Sequence, residues 1–230
     1  MRRNQDKRQA LDNIDILKKK YGIGLTGGIA CGKTTVSHIL RDMGFTVIDA
    51  DQLARQAVAA ETDGLTQIVK SFGKIILTDQ GELNRSMMAD IVFKDHEKKV
   101  RLESIIHPAI HKILQKKLNE EGLVKTPRIW FYEAALIFEI GGHTKFRNIW
   151  AVHCPEEVQV KRLKQRDQRS DEQIENILSN QIPAKEKADK ADISIDTNVG
   201  INVLENIVKS AVEKLPSEYL PKDLKLNHKI

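Results

Sequence analysis

The chain has 230 residues, 40% of them hydrophobic and 30% charged. Those fractions exclude a disordered chain and a membrane protein, and a chain this long buries roughly 70% of its unfolded surface without a disulfide or a metal. Lys and Arg outnumber Asp and Glu by 37 to 32, a net charge of +5 that suits a protein handling phosphorylated ligands. Cys31 and Cys154 are far apart in sequence and in different local contexts, so they offer neither a disulfide framework nor zinc spacing and point to a reducing compartment. No apolar run reaches the roughly 18–20 residues of a membrane span. Asp6, Asp12 and Asp15 interrupt the basic N-terminal stretch where a targeting peptide would be apolar or acid-free. The expectation is a soluble, cytoplasmic protein.

Residues 1–20 read as an N-terminal extension. Leu11, Ile14 and Leu17 recur at helical spacing before Lys18-Lys19-Lys20, and a solvated arm is the plain reading, a contact with a partner subunit the sharper one. Tyr21–Thr26 reads as a buried strand and Lys33–Asp42 as a helix with Val36, Ile39 and Leu40 on one face. Gly44 ends that helix, and Phe45–Ile48 is a second strand, completing a βαβ unit. From Asp51 the pattern is helical: Asp51–Ala60, Leu65–Phe72, Arg85–Phe93, His96–Ile106, then a long helix after Pro108. So many helices between strands predict a helical insertion over residues 61–125.

Arg128–Tyr132 and Asn148–His153 read as the third and fourth strands. Pro155 opens a charge-dense helix holding Arg162 and Arg166, and Ser170-Asp171-Glu172-Gln173 reads as a capping box for a helix to about Asn180. Ile193–Ile195 is a short fifth strand and Asn202–Leu215 the last helix, before a polar tail over 216–230 that reads as loosely attached.

The strongest motif is Gly27-Gly28-Ile29-Ala30-Cys31-Gly32-Lys33-Thr34, a gapless G-x-x-x-x-G-K-[ST] between a strand and a helix. Glycines let the backbone turn tightly, so that amides around Gly28, Ala30, Cys31, Gly32 and Thr35 converge on a phosphate chain at the positive end of the helix. Lys33 reaches the terminal phosphates and the Thr34 hydroxyl ligates Mg²⁺ in such loops. Cys31 reads as a neutral loop filler, with a redox sensor as the sharper alternative. The motif indicates a nucleoside triphosphate without separating a kinase from a switch or a motor.

Asp49-Ala50-Asp51 stands at the end of the second strand, at the edge where open parallel sheets bind ligands. A carboxylate there can take the proton of an acceptor hydroxyl. Arg55, four residues after Asp51, shares its helix face; an N-terminal Asp in an ordinary i,i+4 ion pair fits the same spacing. Arg162 and Arg166 likewise share a face, and taken alone such a run also fits a solvated helix.

These segments together resemble the dephospho-CoA kinase family. The likeness runs through Gly24–Thr35, Val47–Asp51 with Ala54-Arg55, Leu102–Pro108, Leu136–Glu139, Gln159 with Arg162-Leu163, Arg166-Asp167, Gln181 and Ala191–Asp196, covering roughly residues 21–215. It implies a P-loop NTPase fold: three layers, α/β/α, on a five-stranded parallel sheet, as one kinase domain over 21–215. Residues 21–60, 126–154 and 188–215 would form the nucleotide-binding core, 61–125 the acceptor-binding subdomain and 155–187 a lid. It implies transfer of phosphate from ATP, with Mg²⁺, to the ribose 3′-hydroxyl of dephospho-CoA, the last step of coenzyme A synthesis. Asp51 would be the catalytic base beside Lys33 and Arg166. Gly28, Ala30, Cys31, Gly32, Lys33, Thr34, Thr35 and Arg162 would bind ATP, and Arg55 and His107 the acceptor.

The chain departs from the family pattern at Glu133-Ala134-Ala135, where Asp-x-Pro is common, and at Asp196-Thr197-Asn198, where Asp-Asn is usual. Another small-metabolite kinase on the same scaffold is the first alternative and a nucleic-acid-binding ATPase the second. With aromatic residues at 5%, base stacking has few candidates, and no nucleic-acid partner is expected. The sequence leaves monomer and homo-oligomer open.

Overall fold

Strand β1 (Gly22–Gly27) is buried at every position, because it has a hydrogen-bonded neighbour on each edge and packing on each face. The computed structural model describes residues 14–167 and 170–225. In it β1 pairs with β3 (Trp130–Glu133) and β4 (Asn148–His153), while β2 (Val47–Asp49) lies outside β3 and β5 (Ile193–Asp196) outside β4. All pairings are parallel, and the five-stranded order is β2-β3-β1-β4-β5.

Both faces of such a sheet must be covered, so its strands are apolar almost throughout. Ile23, Leu25, Phe131, Trp150 and Val152 form one core with α2 (Lys33–Asp42) and α10 (Ile201–Val212). Alternate residues face the opposite way: Tyr132 and Ile149 pack with Ile137 and Phe146. The register sets Glu133 beside both Leu25 and Asp49, and Gly27 beside Val152, so the carboxyl ends of these strands share one edge. The βαβ start and the five parallel strands agree with the sequence reading, with no strand end displaced by more than two residues.

Residues 14–21 form a helix, α1, that is part of the fold and not a frayed arm. Ile14 and Leu17 are buried. The Arg147 backbone N–H donates to the carbonyls of Lys18 and Gly22, and the Arg147 guanidinium to that of Lys20. Lys18 lies over the Tyr132 ring at 5.1 Å. Leu11 lies outside the described residues. The segment after Pro216 is also held: Ile129 N–H donates to Tyr219 O at 2.7 Å, and Leu220 and Leu224 pack on the main core. Both ends read as appendages because their partners are strands more than a hundred residues away in one case and in the middle of the chain in the other.

The chain divides into two units, Ala50–Gly122 and the remainder. The helical unit therefore begins at Ala50 rather than at residue 61, and ends at Gly122. It contains α3 (Ala50–Ala57), α4 (Asp63–Phe72), α5 (Arg85–Lys94) and α6 (His96–Glu120) around Ala57, Leu65, Ile68, Ile76 and Met88. Thr62, Asn84 and Asp95 cap α4, α5 and α6, each side chain accepting an N–H of the first turn.

The two helices expected around Pro108 are one 25-residue helix that contains the proline. Proline removes one intrahelical bond and crowds the preceding turn. Here Leu102, Ile105 and Ile106 before it and Ala109, Ile110 and Ile113 after it pack on the same core, so burial on both sides overrides the local break.

The remaining helices are α7 (Glu156–Asp167), α8 (Asp171–Ser179) and α9 (Ala184–Lys190). Ser170 and Gln173 form the expected capping box. The sequence reading contained no α9, whose mixed charges hide buried Ala184, Lys187 and Ala188.

Since Leu17 is buried, Leu17→Ala should destabilise the protein by about 2–4 kcal/mol. A lowered urea midpoint at unchanged m-value is the expected readout. An unchanged midpoint is the result a solvated arm would give.

Candidate active site

The glycine loop follows β1 and leads directly into α2. Gly32, its last glycine, has φ 79°, a left-handed conformation that starts α2 without a Cβ penalty. Ala30 has φ 57°, a strained position for a residue with a side chain. The carbonyl bonding around it accounts for the strain being held. Gln159 Nε2 donates to Ile29 O at 2.7 Å, Arg162 to Ala30 O at 3.1 Å, and the Thr197 hydroxyl to Cys31 O at 2.6 Å. These three donors come from α7 and from the residue after β5. A trans peptide points its N–H opposite its C=O. Drawing successive carbonyls outward therefore turns the amides of Ala30 and Gly32 toward the inside of the loop. Gly28 allows this packing: a Cβ there would lie 2.6 Å from Gln159 Nε2 and 2.7 Å from the Ala184 Cβ.

Lys33 and Thr34 open α2, whose first turn carries no acidic residue. Thr34 and Thr35 are exposed. Lys33 Nζ lies 2.7 Å from Glu133 Oε1. The other Glu133 oxygen accepts from the Ser37 hydroxyl at 2.7 Å, with the Arg41 guanidinium at 3.8 Å. Glu133 is 4% exposed, so this carboxylate is held at the end of β3 by charge and hydrogen bonding on both oxygens. The longer Glu in place of Asp still reaches both α2 partners.

The segment after Glu133 lacks the proline of the family pattern but is pinned in other ways. Ala134 N–H donates to Leu25 O at 3.0 Å, and Ala135 O accepts from the Thr26 hydroxyl at 3.0 Å and from Lys187 Nζ at 2.8 Å. Lys187 is fully buried and also pairs with Glu139 Oε1 at 2.6 Å, the oxygen that accepts the Ile182 N–H. Beside Gly28, a cleft of about 630 Å³ runs between α7 and α8, lined by Gln159, Val160, Ile174, Leu178 and Ile182 among others.

Of the residues singled out in the sequence, Gly28, Ala30, Cys31, Gly32, Lys33, Thr34, Thr35 and Arg162 are brought together around the loop. Arg162 braces that loop: its guanidinium bonds the carbonyls of Ala30 and Thr197. Arg166 is exposed in the last turn of α7. Asp51 lies in the first turn of α3 and Arg55 in its last, both exposed, and His107 is exposed on α6 just before Pro108. Those three belong to the helical unit.

Sequence reasoning missed Ser37 and Lys187, and it treated Thr197 only as a small departure from the family pattern in an adenine-side loop. Their partners are 96, 52 and 166 residues away, so no local spacing signals them.

Residues 21–202 match the family model described as dephospho-CoA kinase. The chain belongs to the dephospho-CoA kinase family. It is 43% identical to the dephospho-CoA kinase of Geobacter sulfurreducens over 76% of this chain and 89% of that one. With the Carboxydothermus hydrogenoformans enzyme it shares 37% over 84% of this chain and 93% of its relative. Among solved structures, one from Thermus thermophilus superposes with a TM-score of 0.73 at 29% identity, covering 85% of this chain and 98% of that one. The dephospho-CoA kinase of Campylobacter jejuni gives 0.54 at 27%, over 86% and 97%. Family membership agrees with the P-loop architecture, and no helix among the described residues is long and apolar enough to cross a membrane.

Thr197→Val keeps the shape but removes the hydroxyl that donates to the buried Cys31 carbonyl. A stability loss of about 1–3 kcal/mol is expected, together with weaker ATP binding by calorimetry. Unchanged ATP affinity would show that the loop amides do not depend on this outward tie.

Proposed function

We propose that this chain transfers the γ-phosphoryl group of ATP to the ribose 3′-hydroxyl of dephospho-CoA, the reaction implied by its family, with the following division of labour. The observation that carries the nucleotide half is the loop whose carbonyls are tied outward at Ile29, Ala30 and Cys31. The amides of Ala30 and Gly32 bind the phosphates, Gly28, Cys31 and Thr35 shape the loop around them, and the N-terminal end of α2 adds its positive potential. Lys33 exchanges part of its pairing with Glu133 for the terminal phosphate oxygens. Glu133 thus holds the ammonium at the site before nucleotide arrives, and Ser37 prevents its second oxygen from being left unpaired.

The donors near Lys33 are a hydroxyl, Thr34, and a carboxylate, Glu133. Such hard oxygens fit Mg²⁺, which Thr34 would hold with Glu133 in support. When bound, the ion neutralises charge on the β- and γ-phosphates.

Asp51 accepts the proton of the attacking hydroxyl, Arg55 and His107 hold the acceptor, and Arg166 stabilises charge on the group in transfer. Arg162 supports ATP binding through the loop it braces. The protein forms no covalent bond with the phosphoryl group, so positioning and fixed charge supply the acceleration.

Purified protein with ATP, Mg²⁺ and dephospho-CoA should yield coenzyme A and ADP by mass spectrometry. Absence of turnover on dephospho-CoA, with turnover on another hydroxyl acceptor, would replace this substrate. Asp51→Asn should lower kcat by roughly 100-fold or more, the range of general-base catalysis, while the Kd for ATP stays within a factor of two or so. A near-normal kcat would remove Asp51 as base. Lys33→Ala should cost about 3–4 kcal/mol of transition-state stabilisation, read as a fall in kcat/KM.

A further inference from the structure

Cys31 and Cys154, separated by 123 residues, lie with their sulfurs 3.3 Å apart. Both are free thiols and both are buried. Cys31 is in the phosphate loop and Cys154 directly follows β4, whose Val152 pairs with Gly27 at the end of β1. The register of the sheet therefore brings them together, where spacing in the sequence gave no sign of a pair. We propose that they are a modification site: a peroxide oxidises them to an intramolecular disulfide, and the disulfide disables ATP binding by the loop.

The two sulfurs are not equivalent. Cys31 is fully buried, whereas Cys154 retains 5% exposure and has the Arg162 guanidinium 3.8 Å from its sulfur. The hydrogen bond between the thiols and the nearby Arg162 charge lower the Cys154 pKa, against its partial burial and the Asp196 carboxylate. The shared hydrogen bond and burial raise that of Cys31. Cys154 is thus the attacking thiol and Cys31 the resolving one.

In the first step the Cys154 thiolate attacks one peroxide oxygen, the O–O bond breaks, and hydroxide leaves Cys154 as a sulfenic acid. In the second, the Cys31 sulfur attacks the sulfenic sulfur and the S–O bond breaks. The leaving hydroxide takes the Cys31 thiol proton and departs as water. Two thiols are oxidised and one peroxide is reduced to water. Burial restricts this chemistry to a small oxidant such as hydrogen peroxide.

A disulfide brings sulfurs to roughly 2.05 Å, so this pair must close by about 1 Å. The β4 side is anchored: β4 has strands on both edges, and His153 O accepts the Thr197 backbone N–H at 3.0 Å. The loop side has no strand partner at Cys31. It is held by the Cys31 N–H to Gly28 O contact at 3.2 Å and by the side-chain ties to its carbonyls. Contraction therefore pulls Cys31 toward β4 and turns its neighbouring amides out of the phosphate-binding arrangement. Each lost hydrogen bond to a charged phosphate costs about tenfold or more in affinity, so a fall of roughly 10- to 100-fold in ATP affinity is expected.

The test uses the full chain and ATP alone, so it does not depend on the acceptor. Reduced protein is first titrated with ATP, which examines the phosphate-loop reading separately. It is then treated with hydrogen peroxide and followed by intact mass, peptide mapping and ATP titration. The expected result is a species lighter by two hydrogens, a Cys31–Cys154 cross-linked peptide, ATP affinity lowered roughly 10- to 100-fold, and recovery with dithiothreitol. Cys154→Ala should bind ATP as the reduced protein does and keep that affinity in peroxide. By reciprocity, saturating ATP should shift the thiol–disulfide equilibrium of the unmutated chain in a dithiothreitol redox buffer toward the reduced pair, a measurement that needs no variant. Absence of the cross-link overturns the proposal. So does a cross-linked protein with full ATP affinity, an equal loss in Cys154→Ala, or a thiol–disulfide equilibrium unaffected by ATP.

Discussion

A backbone loop binds phosphate only if its amides face one way, and peptide geometry makes that a question of where the carbonyls go. In this chain they go to Gln159, Arg162 and Thr197. A buried carbonyl without a donor is costly, so these side chains make the amide arrangement part of the folded ground state. The strained Ala30 backbone is held in the same way. Ligand binding then need not supply the energy of ordering the loop, which is the physical meaning of preorganisation.

The sheet is what allows those donors to meet the loop. With β1 between β3 and β4, its carboxyl end is flanked on one side by Glu133 and on the other by the segment leading to α7. β5, next outward, ends one residue before Thr197. The same order puts Lys33 on Glu133 and Cys31 on Cys154. One face of the loop is thus charged and hydrogen-bonded, and the other carries two thiols. Fixed carbonyls serve binding, while adjacent sulfurs leave the same backbone open to covalent distortion.

Local sequence was a good guide where the signal was itself local. The G-x-x-x-x-G-K-T run, the Ser170–Gln173 capping box and the alternation of apolar strands with helices are all short-range patterns. They failed where burial outweighed local preference. Pro108 reads as a break, yet it sits inside α6 because apolar residues on both sides pack on one core. Residues 14–20 and the segment after Pro216 read as polar appendages, since a few anchoring residues among many charges do not dominate composition. Lys187 gives no local signal, yet it is fully buried, with Glu139 and the Ala135 carbonyl satisfying its charge and donors.

The amino-acid sequence by itself determined the fold class, the triphosphate loop and the family, because each is encoded in contiguous residues whose spacing has one physical use. Tertiary structure alone decided which side chains hold the loop, what Glu133 does in place of a shorter acid, and that two distant cysteines are neighbours. Those relations cross 96 to 166 residues of chain. They arise only when parallel strands settle into one register, and nothing in a linear spacing carries that information.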